Sequence, residues 1–439
     1  MNNRVLKNAS WIVGAKIVQS FIGLIIGVIT ARYLGSSNYG VINYVASVIS
    51  FAMPIMQLGL KHTLVKEFVR SPDIEGAVLG TSLLLNVISS VFCMIGSVAF
   101  VMIANAGEKE TIIVCILYSF TLLFNATEMT QYWFQAKLMS KYPSIAALVA
   151  YTIVAFYKIF LLVTGKSVVW FALSNVIDYF LISVILMVIY IKVCHGQRLS
   201  VDLSLGKRLL SESKYYIIPS LMVMVFQHTD QIMIKLMIGD SETGLYSAAI
   251  TCIGITAFVF TAIIDSARPV ILQEKERNEK LYEKRLIQLY NIVACLSIAQ
   301  SVGMTLLAKP IVYVLYGDEY SKTAIILAVA VWYITFGHYG SVRNIWILAE
   351  KKQKYLTGIN IAGAACNVVL NFCLIPLFGA VGAAIASVVT QFFTNVVIGF
   401  ICKPIRYNNH LMLKSLNPKI TKELVSGFLK KDKQKKINK

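Results

Sequence analysis

Charged side chains are scarce in this sequence: they make up 14% of its 439 residues, against about 25% in an average soluble protein. Hydrophobic residues reach 57%, where soluble domains have roughly 45–50%. The apolar segments extend from Trp11 to Cys402, so they are not a single anchor on a soluble body. The composition therefore excludes an ordinary soluble domain and predicts a protein embedded in a membrane.

Motifs for hydrolysis and nucleotide binding are also lacking. There is no HExxH, GxSxG or P-loop sequence, and no pair of carboxylates at the mouth of a loop. The cysteines show no CxxC spacing, and seven of the eight lie in apolar segments, where they are interpreted as small packing residues. The eighth, Cys194, precedes His195, and this pair is interpreted either as a metal pair or, preferably, as a plain interfacial pair. We expect no cofactor, no metal and no direct use of ATP.

The long apolar stretches predict membrane-spanning helices, since a hydrocarbon core about 30 Å thick needs about 20 apolar residues per helix. The alternation typical of a membrane barrel is absent. The first stretch is too long for the apolar core of a signal peptide and is interpreted as the first span. The sequence predicts an all-α polytopic membrane protein with about twelve transmembrane helices, near 11–34, 39–60, 77–104, 111–134, 143–164, 167–191, 214–238, 244–268, 286–308, 323–349, 355–375 and 380–402.

Positive charges lie mostly on one side of these spans. Of the 41 lysines and arginines, 32 fall in segments on the N-terminal side of the membrane and six on the other side. Because cytoplasmic segments carry an excess of Lys and Arg, this pattern predicts cytoplasmic N- and C-termini. The net charge of +19 is then a signal of topology and of attraction to anionic lipid, so we expect no nucleic-acid partner.

A repeat divides the chain. Residues 34–41 follow the first predicted span and residues 238–245 follow the seventh, and at an offset of 204 both glycines and one serine coincide. Six spans return a chain to its starting side, so the repeat predicts two parallel six-helix lobes related by a pseudo-two-fold axis along the membrane normal. The predicted parts are an N-terminal lobe over 1–194, a cytoplasmic linker with an interfacial helix over 195–213, a C-terminal lobe over 214–402 and a basic cytoplasmic tail over 403–439.

Polar residues within spans are the candidate functional residues, because they are costly in hydrocarbon. Lys16 and Gln19 share one face of span 1, which is interpreted either as a small-residue packing face or as the wall of a cavity. Span 7 carries a broader polar stripe that predicts either a water-filled cavity, the preferred interpretation, or hydrogen bonds between helices. Its residues are Ser220, Gln227, His228, Asp230, Gln231 and Lys235.

The other ionisable residues in spans have more than one interpretation. Lys158 and Asp178 are expected either to form a structural ion pair or to act separately, and Asp178 and Asp230 are candidates for coupling to protons or Na⁺. Arg343 lies well inside its span and is interpreted as functional. Glu128 and Asp265 lie near cytoplasmic ends, where they can reach water, and His338 is interpreted mainly as a packing residue.

Four groups of segments resemble the polysaccharide flippases of Wzx type, in the multidrug/oligosaccharidyl-lipid/polysaccharide exporter superfamily. The resemblance covers nearly the whole chain. Each segment is a loose match by itself, and the order and spacing of the segments together make the resemblance specific to the family. The segments are Ala31–Gly35 with Tyr39–Gly40, Thr229–Ile234 with Gly244–Ala249, Tyr313–Tyr320, and Asn367–Pro376 with Gly379–Ala384.

The resemblance implies two six-helix lobes that form a V, with a cavity opening alternately to each side, as in MATE transporters. The implied activity is that of a flippase, not an enzyme, for undecaprenyl-diphosphate-linked oligosaccharide in the bacterial cytoplasmic (inner) membrane. Implied settings are O-antigen or capsule synthesis, with membrane lipid and other glycan-assembly membrane proteins as partners. Twelve spans argue against flipping of the peptidoglycan precursor, whose flippases usually have fourteen.

Cationic residues are expected to meet the diphosphate, and the chemistry of this sequence offers Lys16, Arg32, Lys158 and Arg343. Of these only Arg32 lies in a matched string, and it is equally interpreted as an anchor at the outer interface. Three alternatives stay open: a cation-coupled small-molecule exporter on the same fold, a membrane enzyme of surface-glycan synthesis, and a purely structural membrane protein. The short outer loops disfavour the enzyme, and the polar stripe of span 7 disfavours the structural protein.

Overall fold

The computed structural model describes residues 3–193, 198–422 and 426, and within them the chain is built from helices with no strand. Short 3₁₀ turns join several of the helices. The α-helices are α1 (Asn3–Met56), α2 (Lys61–Arg70), α3 (Glu75–Ala104), α4 (Lys109–Asn125), α5 (Met129–Ala136), α6 (Lys141–Val163), α7 (Val168–Val193), α8 (Leu203–Ser213), α9 (Ile217–Met237), α10 (Asp240–Gly254), α11 (Ala257–Arg277), α12 (Glu279–Leu306), α13 (Ala308–Tyr316), α14 (Thr323–Ala349), α15 (Lys354–Phe378), α16 (Ala380–Phe392), α17 (Ile398–Ile401) and α18 (Arg406–Ser415).

Ten helical segments of the described chain are long and apolar enough to cross a membrane, and an eleventh is formed if α10 and α11, bent by 43°, count as one span. The first of the ten, Ser10–Arg70, contains a break at Gly35 (φ 73°, ψ 170°) inside α1. The part of α1 on each side of this break is long enough to span hydrocarbon by itself. The all-α polytopic membrane fold is therefore confirmed, while the count of twelve and the two-lobe symmetry stay predictions.

Two compact units make up the chain. The first consists of Met1–Ala248 with Tyr316–Glu319, and the second of Ala249–Leu315 with Tyr320–Lys439. The predicted division into lobes, linker and tail stays a prediction. The Cys194-His195 pair and most of the tail beyond residue 422 lie outside the described residues.

Two apolar clusters are formed by described residues of the first unit. One packs the second part of α1 against α3, α4 and α7, and the other packs α2, α5 and α8 against α3 and α7. The predicted interfacial helix corresponds in position to α8. Asp202 caps its N-terminus, and the carboxylate of Asp202 accepts hydrogen bonds from the first turn. Leu205 and Leu209 of α8 are buried, whereas Leu203 is exposed, so the helix packs on the protein along one face only.

The second unit is organised around α12 and α14. Tyr282 and Tyr290 of α12 and Trp346 of α14 are among its fully buried large side chains. A single residue, Gly379, joins α15 to α16, and its φ is 58°. Three residues later, a Cβ atom on Gly382 would lie 2.2 Å from the carbonyl oxygen of Leu374, so only glycine fits this approach of backbone to backbone.

We predict that Gly382→Ala destabilises the protein by about 1–3 kcal/mol, since the added carbon meets backbone rather than a movable side chain. The measurement is the midpoint of thermal unfolding in detergent. Gly303→Ala is the control, because a Cβ atom there meets nothing within 4 Å and Gly303 is inside α12. Its midpoint should be unchanged or raised, since alanine favours a helix more than glycine does. Equal midpoints for the two variants would contradict the prediction.

Candidate functional site

Two adjoining polar cavities lie in the first unit. One, of about 380 Å³, is lined by Lys16 and Gln19 of α1 together with residues of α5 and α6. The other, of about 330 Å³, lies beside α7. We call the pair the polar cavity, since they share four lining residues, Glu128, Gln131, Pro143 and Ala147.

Glu128 is at the centre of this cavity. It ends a 3₁₀ turn, Ala126–Glu128, which interrupts the helical path between α4 and α5. One carboxylate oxygen accepts a hydrogen bond from the amide of Gln131. The amide of Gln57 lies 3.4 Å from the other oxygen and donates equally to Asn125. The carboxylate is thus held by amides rather than by a cation, an arrangement that also suits hydroxyl groups of a ligand.

Lys16 supplies the positive charge of the cavity. Its side chain is exposed, while Gln19, one turn later, is half-buried. Among the described ion pairs none includes Lys16, and its ammonium carries three hydrogen-bond donors. The structure therefore brings together two of the predicted cavity residues, Lys16 and Gln19, with Glu128.

Residues of the polar stripe on α9 are used mainly in contacts between helices. The hydroxyl of Ser47 on α1 donates to the amide oxygen of Gln231, and His228 Nδ1 lies 3.3 Å from the same hydroxyl. The amide nitrogen of Gln231 donates to Ser247 at 3.0 Å. Of the two interpretations of this stripe, hydrogen bonding between helices therefore accounts for His228 and Gln231, whereas Gln227 is exposed.

The remaining charges of α9 are buried and paired. The hydroxyl of Tyr246 donates to the Asp230 carboxylate. Lys235 lies with its ammonium 2.6 Å from Glu108 and 2.7 Å from Asp240. Partial burial raises the pKa of Glu108, but hydrogen bonds led by that from Lys235 outweigh this effect and hold the pKa below its usual range. The ion pair therefore persists to lower pH than an ordinary glutamate would allow.

Arg343 is buried inside the second unit, with 3% of its surface exposed. Its guanidinium donates to the backbone carbonyl of Thr394 at 2.7 Å, within a π-helical segment, Phe393–Val397. Segments of this kind leave backbone carbonyls free, and here the arginine uses one. His338 stacks on Phe260 with ring centroids 3.9 Å apart, as expected of a packing residue.

Lys158 of α6 and Asp178 of α7 are half-buried and close enough to interact electrostatically. No ion pair joins them among the residues that the structure describes, and the Oδ1 atom of Asp178 is buried without a hydrogen-bond partner. Arg32 is exposed, and Asp265 forms an exposed ion pair with Arg268 at 3.0 Å.

Sequence reasoning did not select several cavity residues. Gln131 and Gln135 line the cavity beside Glu128, and Gln57 approaches it from α1. The positions 128, 131 and 135 share one helical face, since residues three and four apart are neighbours. That helical spacing could have identified Gln131 and Gln135 from the sequence. No local pattern connects Gln57 to Glu128, which is 71 residues away.

Comparisons with known proteins agree with this fold. A family model described as "Polysaccharide biosynthesis protein" matches residues 5–275. The chain is 21% identical over 399 residues to the probable flippase AglR of Haloferax volcanii, a match that covers 86% of this chain and 79% of that protein.

Solved structures of two transporters are also similar. An inward-facing multidrug resistance MATE family transporter of the MOP superfamily has a TM-score of 0.72 at 14% identity, with 91% of this chain and 96% of that one covered. The lipid II flippase MurJ, in an inward closed conformation, has a TM-score of 0.71 at 17% identity, with 92% and 90% covered. At these identities the likeness concerns the fold, and it confirms the MATE-like fold class.

We predict that Arg343→Ala lowers the midpoint of thermal unfolding, because it leaves the Thr394 carbonyl without its donor, a loss of about 1–3 kcal/mol for a buried hydrogen bond to a charged group. Lys16→Ala, which removes an exposed side chain, should leave the midpoint unchanged. Both variants are compared with the unmodified protein in the same detergent. An unaltered midpoint for Arg343→Ala would show that this contact contributes little to the fold.

Proposed function

This chain belongs to the polysaccharide biosynthesis protein family, and we propose that it is a flippase for undecaprenyl-diphosphate-linked oligosaccharide. It would move this lipid from the cytoplasmic to the outer leaflet of the bacterial cytoplasmic membrane by alternating access. The observation that supports the proposal is the polar cavity, whose lining includes the exposed Lys16 and the amide-held carboxylate of Glu128.

The cavity offers the headgroup of such a lipid the polar contacts that hydrocarbon cannot provide. Moving an unpaired charge into an apolar medium costs tens of kcal/mol by Born solvation, so a diphosphate cannot cross the bilayer unaided. Lys16 attracts the diphosphate, and the amides around Glu128 offer donors and acceptors to sugar hydroxyls. The polyprenyl tail has no such cost and stays in lipid.

The charge distribution supports the proposed direction. The excess of Lys and Arg on the N-terminal side predicts that both termini are in the cytoplasm, where such lipids would be loaded. Lys16 precedes the break at Gly35 by about five helical turns, so it belongs to the cytoplasmic half of the first span in this orientation.

Coupling to protons or Na⁺ is part of the proposal, with Asp178 as the better of the two candidates. Its Oδ1 atom is buried without a hydrogen-bond partner, and its electrostatic partner Lys158 is not in contact. Asp230 is instead held by Tyr246. A carboxylate oxygen without a hydrogen-bond partner keeps its acceptor positions free for a cation.

The test uses purified protein in proteoliposomes that contain the lipid-linked oligosaccharide extracted from the cells that make it. The fraction of sugar accessible to external periodate measures flipping. Lys16→Ala should slow flipping about tenfold or more, a loss near 1.4 kcal/mol or above for a charged contact to the diphosphate. Lys16→Arg should retain activity because it keeps the charge.

Lys166→Ala is the matched control, since this lysine follows α6 outside the cavity. No flipping by the unmodified protein would refute the proposed function. If the protein instead exports a small cationic dye in exchange for protons or Na⁺ and flips no lipid, the alternative of a small-molecule exporter on the MATE-like fold holds.

A further inference from the structure

The last of the described helices, α18, is fixed to α12 by buried polar contacts. The hydroxyl of Tyr290 donates to Asn408 Oδ1 at 3.1 Å, and the amide of Asn291 donates to the carbonyl oxygen of Ser415 at 2.7 Å. Leu411 is fully buried in the apolar cluster of the second unit. One face of α18 is therefore part of the core of this unit, and these contacts set the position of the opposite face.

The opposite face of α18 combines basic and aliphatic side chains. His410, Leu413, Lys414 and Asn417 are related by spacings of three and four residues, so they form one stripe along the helix and just beyond its end. All four are exposed, and Leu416 beside them is 50% exposed. A helix face that mixes exposed basic and aliphatic residues is typical of a surface that contacts the headgroup layer of a membrane.

This stripe lines a cavity of about 700 Å³. Ile287 of α12, Leu416 and Ile420 add to its aliphatic lining. Lys414 and His410 supply its basic groups, and among the residues that the structure describes no carboxylate lines it. The cavity therefore offers a cation to an anionic group and an apolar wall to a hydrocarbon chain.

The charge near the cavity has one sign. The sequence between Glu350 and Glu423 contains no acidic residue. Glu283 of α12, one turn before the residue of that helix that lines the cavity, accepts a hydrogen bond from the hydroxyl of Tyr407. None of the described ion pairs includes Lys414, whose ammonium has three donors to offer.

The cavity lies where α12 changes from charged to apolar sequence. Its first two turns carry five charged residues, Glu279, Lys280, Glu283, Lys284 and Arg285. The predicted span begins at residue 286, immediately before Ile287 of the cavity. A change of this kind is expected at the headgroup level of a bilayer, where Tyr407, 47% exposed, is also typical. In the orientation predicted from the charge distribution, this end of α12 is cytoplasmic.

An anionic phospholipid has both of the parts that this cavity can receive. Its phosphate can accept hydrogen bonds from the ammonium of Lys414, and its acyl chains can cover Leu413 and Leu416. Free phosphate would leave these leucines uncovered. A zwitterionic lipid carries a cation of its own, which competes with Lys414 for the phosphate, so charge complementarity favours an anionic headgroup.

We propose that the cavity between α12 and α18 binds an anionic phospholipid of the cytoplasmic leaflet. The phosphate lies against Lys414 and His410, and the acyl chains run along Leu413, Leu416 and Ile287. Residues of the second unit form this site, whereas residues of the first unit line the polar cavity. The lipid is a resident ligand of the protein, so the proposal does not depend on the identity of the cargo.

The test is a titration of the purified full-length protein in detergent with dioleoylphosphatidylglycerol, in which native mass spectrometry resolves each lipid-bound species. Removing one lysine near an anionic lipid weakens the attraction about fivefold, so Lys414→Ala should raise the Kd for this lipid by about that factor. Lys414→Arg keeps the charge and should retain most of the affinity. The unmodified protein should bind dioleoylphosphatidylcholine several times more weakly.

Lys403→Ala is the matched control. It removes an exposed lysine from the same end of the chain, but Lys403 does not line the cavity. This variant should bind phosphatidylglycerol as the unmodified protein does. Equal losses in Lys403→Ala and Lys414→Ala, or equal binding of the two lipids by the unmodified protein, would overturn the proposal in favour of a diffuse attraction of the basic C-terminal segment to anionic surfaces.

A second set of measurements separates a lipid from free phosphate. Leu413→Ser removes exposed aliphatic surface and keeps Lys414, so it should weaken phosphatidylglycerol binding severalfold. Inorganic phosphate at millimolar concentration should not displace the lipid. Displacement by phosphate, or an unchanged lipid affinity in Leu413→Ser, would overturn the assignment to a lipid. The midpoint of thermal unfolding shows that each variant is folded, and Leu416→Ser, also at an exposed position, replaces Leu413→Ser if that variant is not.

Discussion

Hydrocarbon cannot hydrate a polar group, and this constraint governs both the fold and the placement of every charge. Helices satisfy the backbone internally, which is why the described chain contains no strand. Three cationic side chains meet this constraint in three different ways. Arg343 uses a backbone carbonyl, Lys235 uses two carboxylates, and Lys16 lies exposed at a cavity wall. Arg343 and Lys235 are thereby buried in the fold, and of these three cations Lys16 alone is left available to an anionic ligand.

The same constraint explains what the sequence could predict. A span can be predicted from the composition of one continuous segment. The predicted stretch 323–349 therefore coincides with α14, Thr323–Ala349, and the predicted turn after span 1 contains the break at Gly35. Helical periodicity also predicted a polar face on span 7. It could not show whether that face meets water or another helix, because the partner of Gln231 is Ser47, 184 residues earlier.

The candidate site was predictable in part for a related reason. Lys16 and Glu128 stand out as ionisable residues in apolar sequence, but their common cavity depends on how α1, α5 and α6 pack. Each charged side chain has fewer possible roles once the structure shows which residues it contacts. Arg343 leaves the set of diphosphate-binding candidates in the proposed mechanism, and Glu128, interpreted from sequence as a residue that reaches water, joins the cavity.

The π-helical segment Phe393–Val397 has a consequence for how this protein can change over evolution. Such a segment holds one residue more than an α-helix of equal length, so it is the expected mark of a single-codon insertion. Deleting one residue here would close the segment into an α-helix of the same length, whose carbonyls bond within the helix. Asn409 of α18, which bonds the Val396 carbonyl at 2.6 Å, and Arg343, which bonds that of Thr394, would both lose their partners. The extra residue therefore ties this segment to α14 and α18, and a one-residue deletion should be tolerated in the loops but not here.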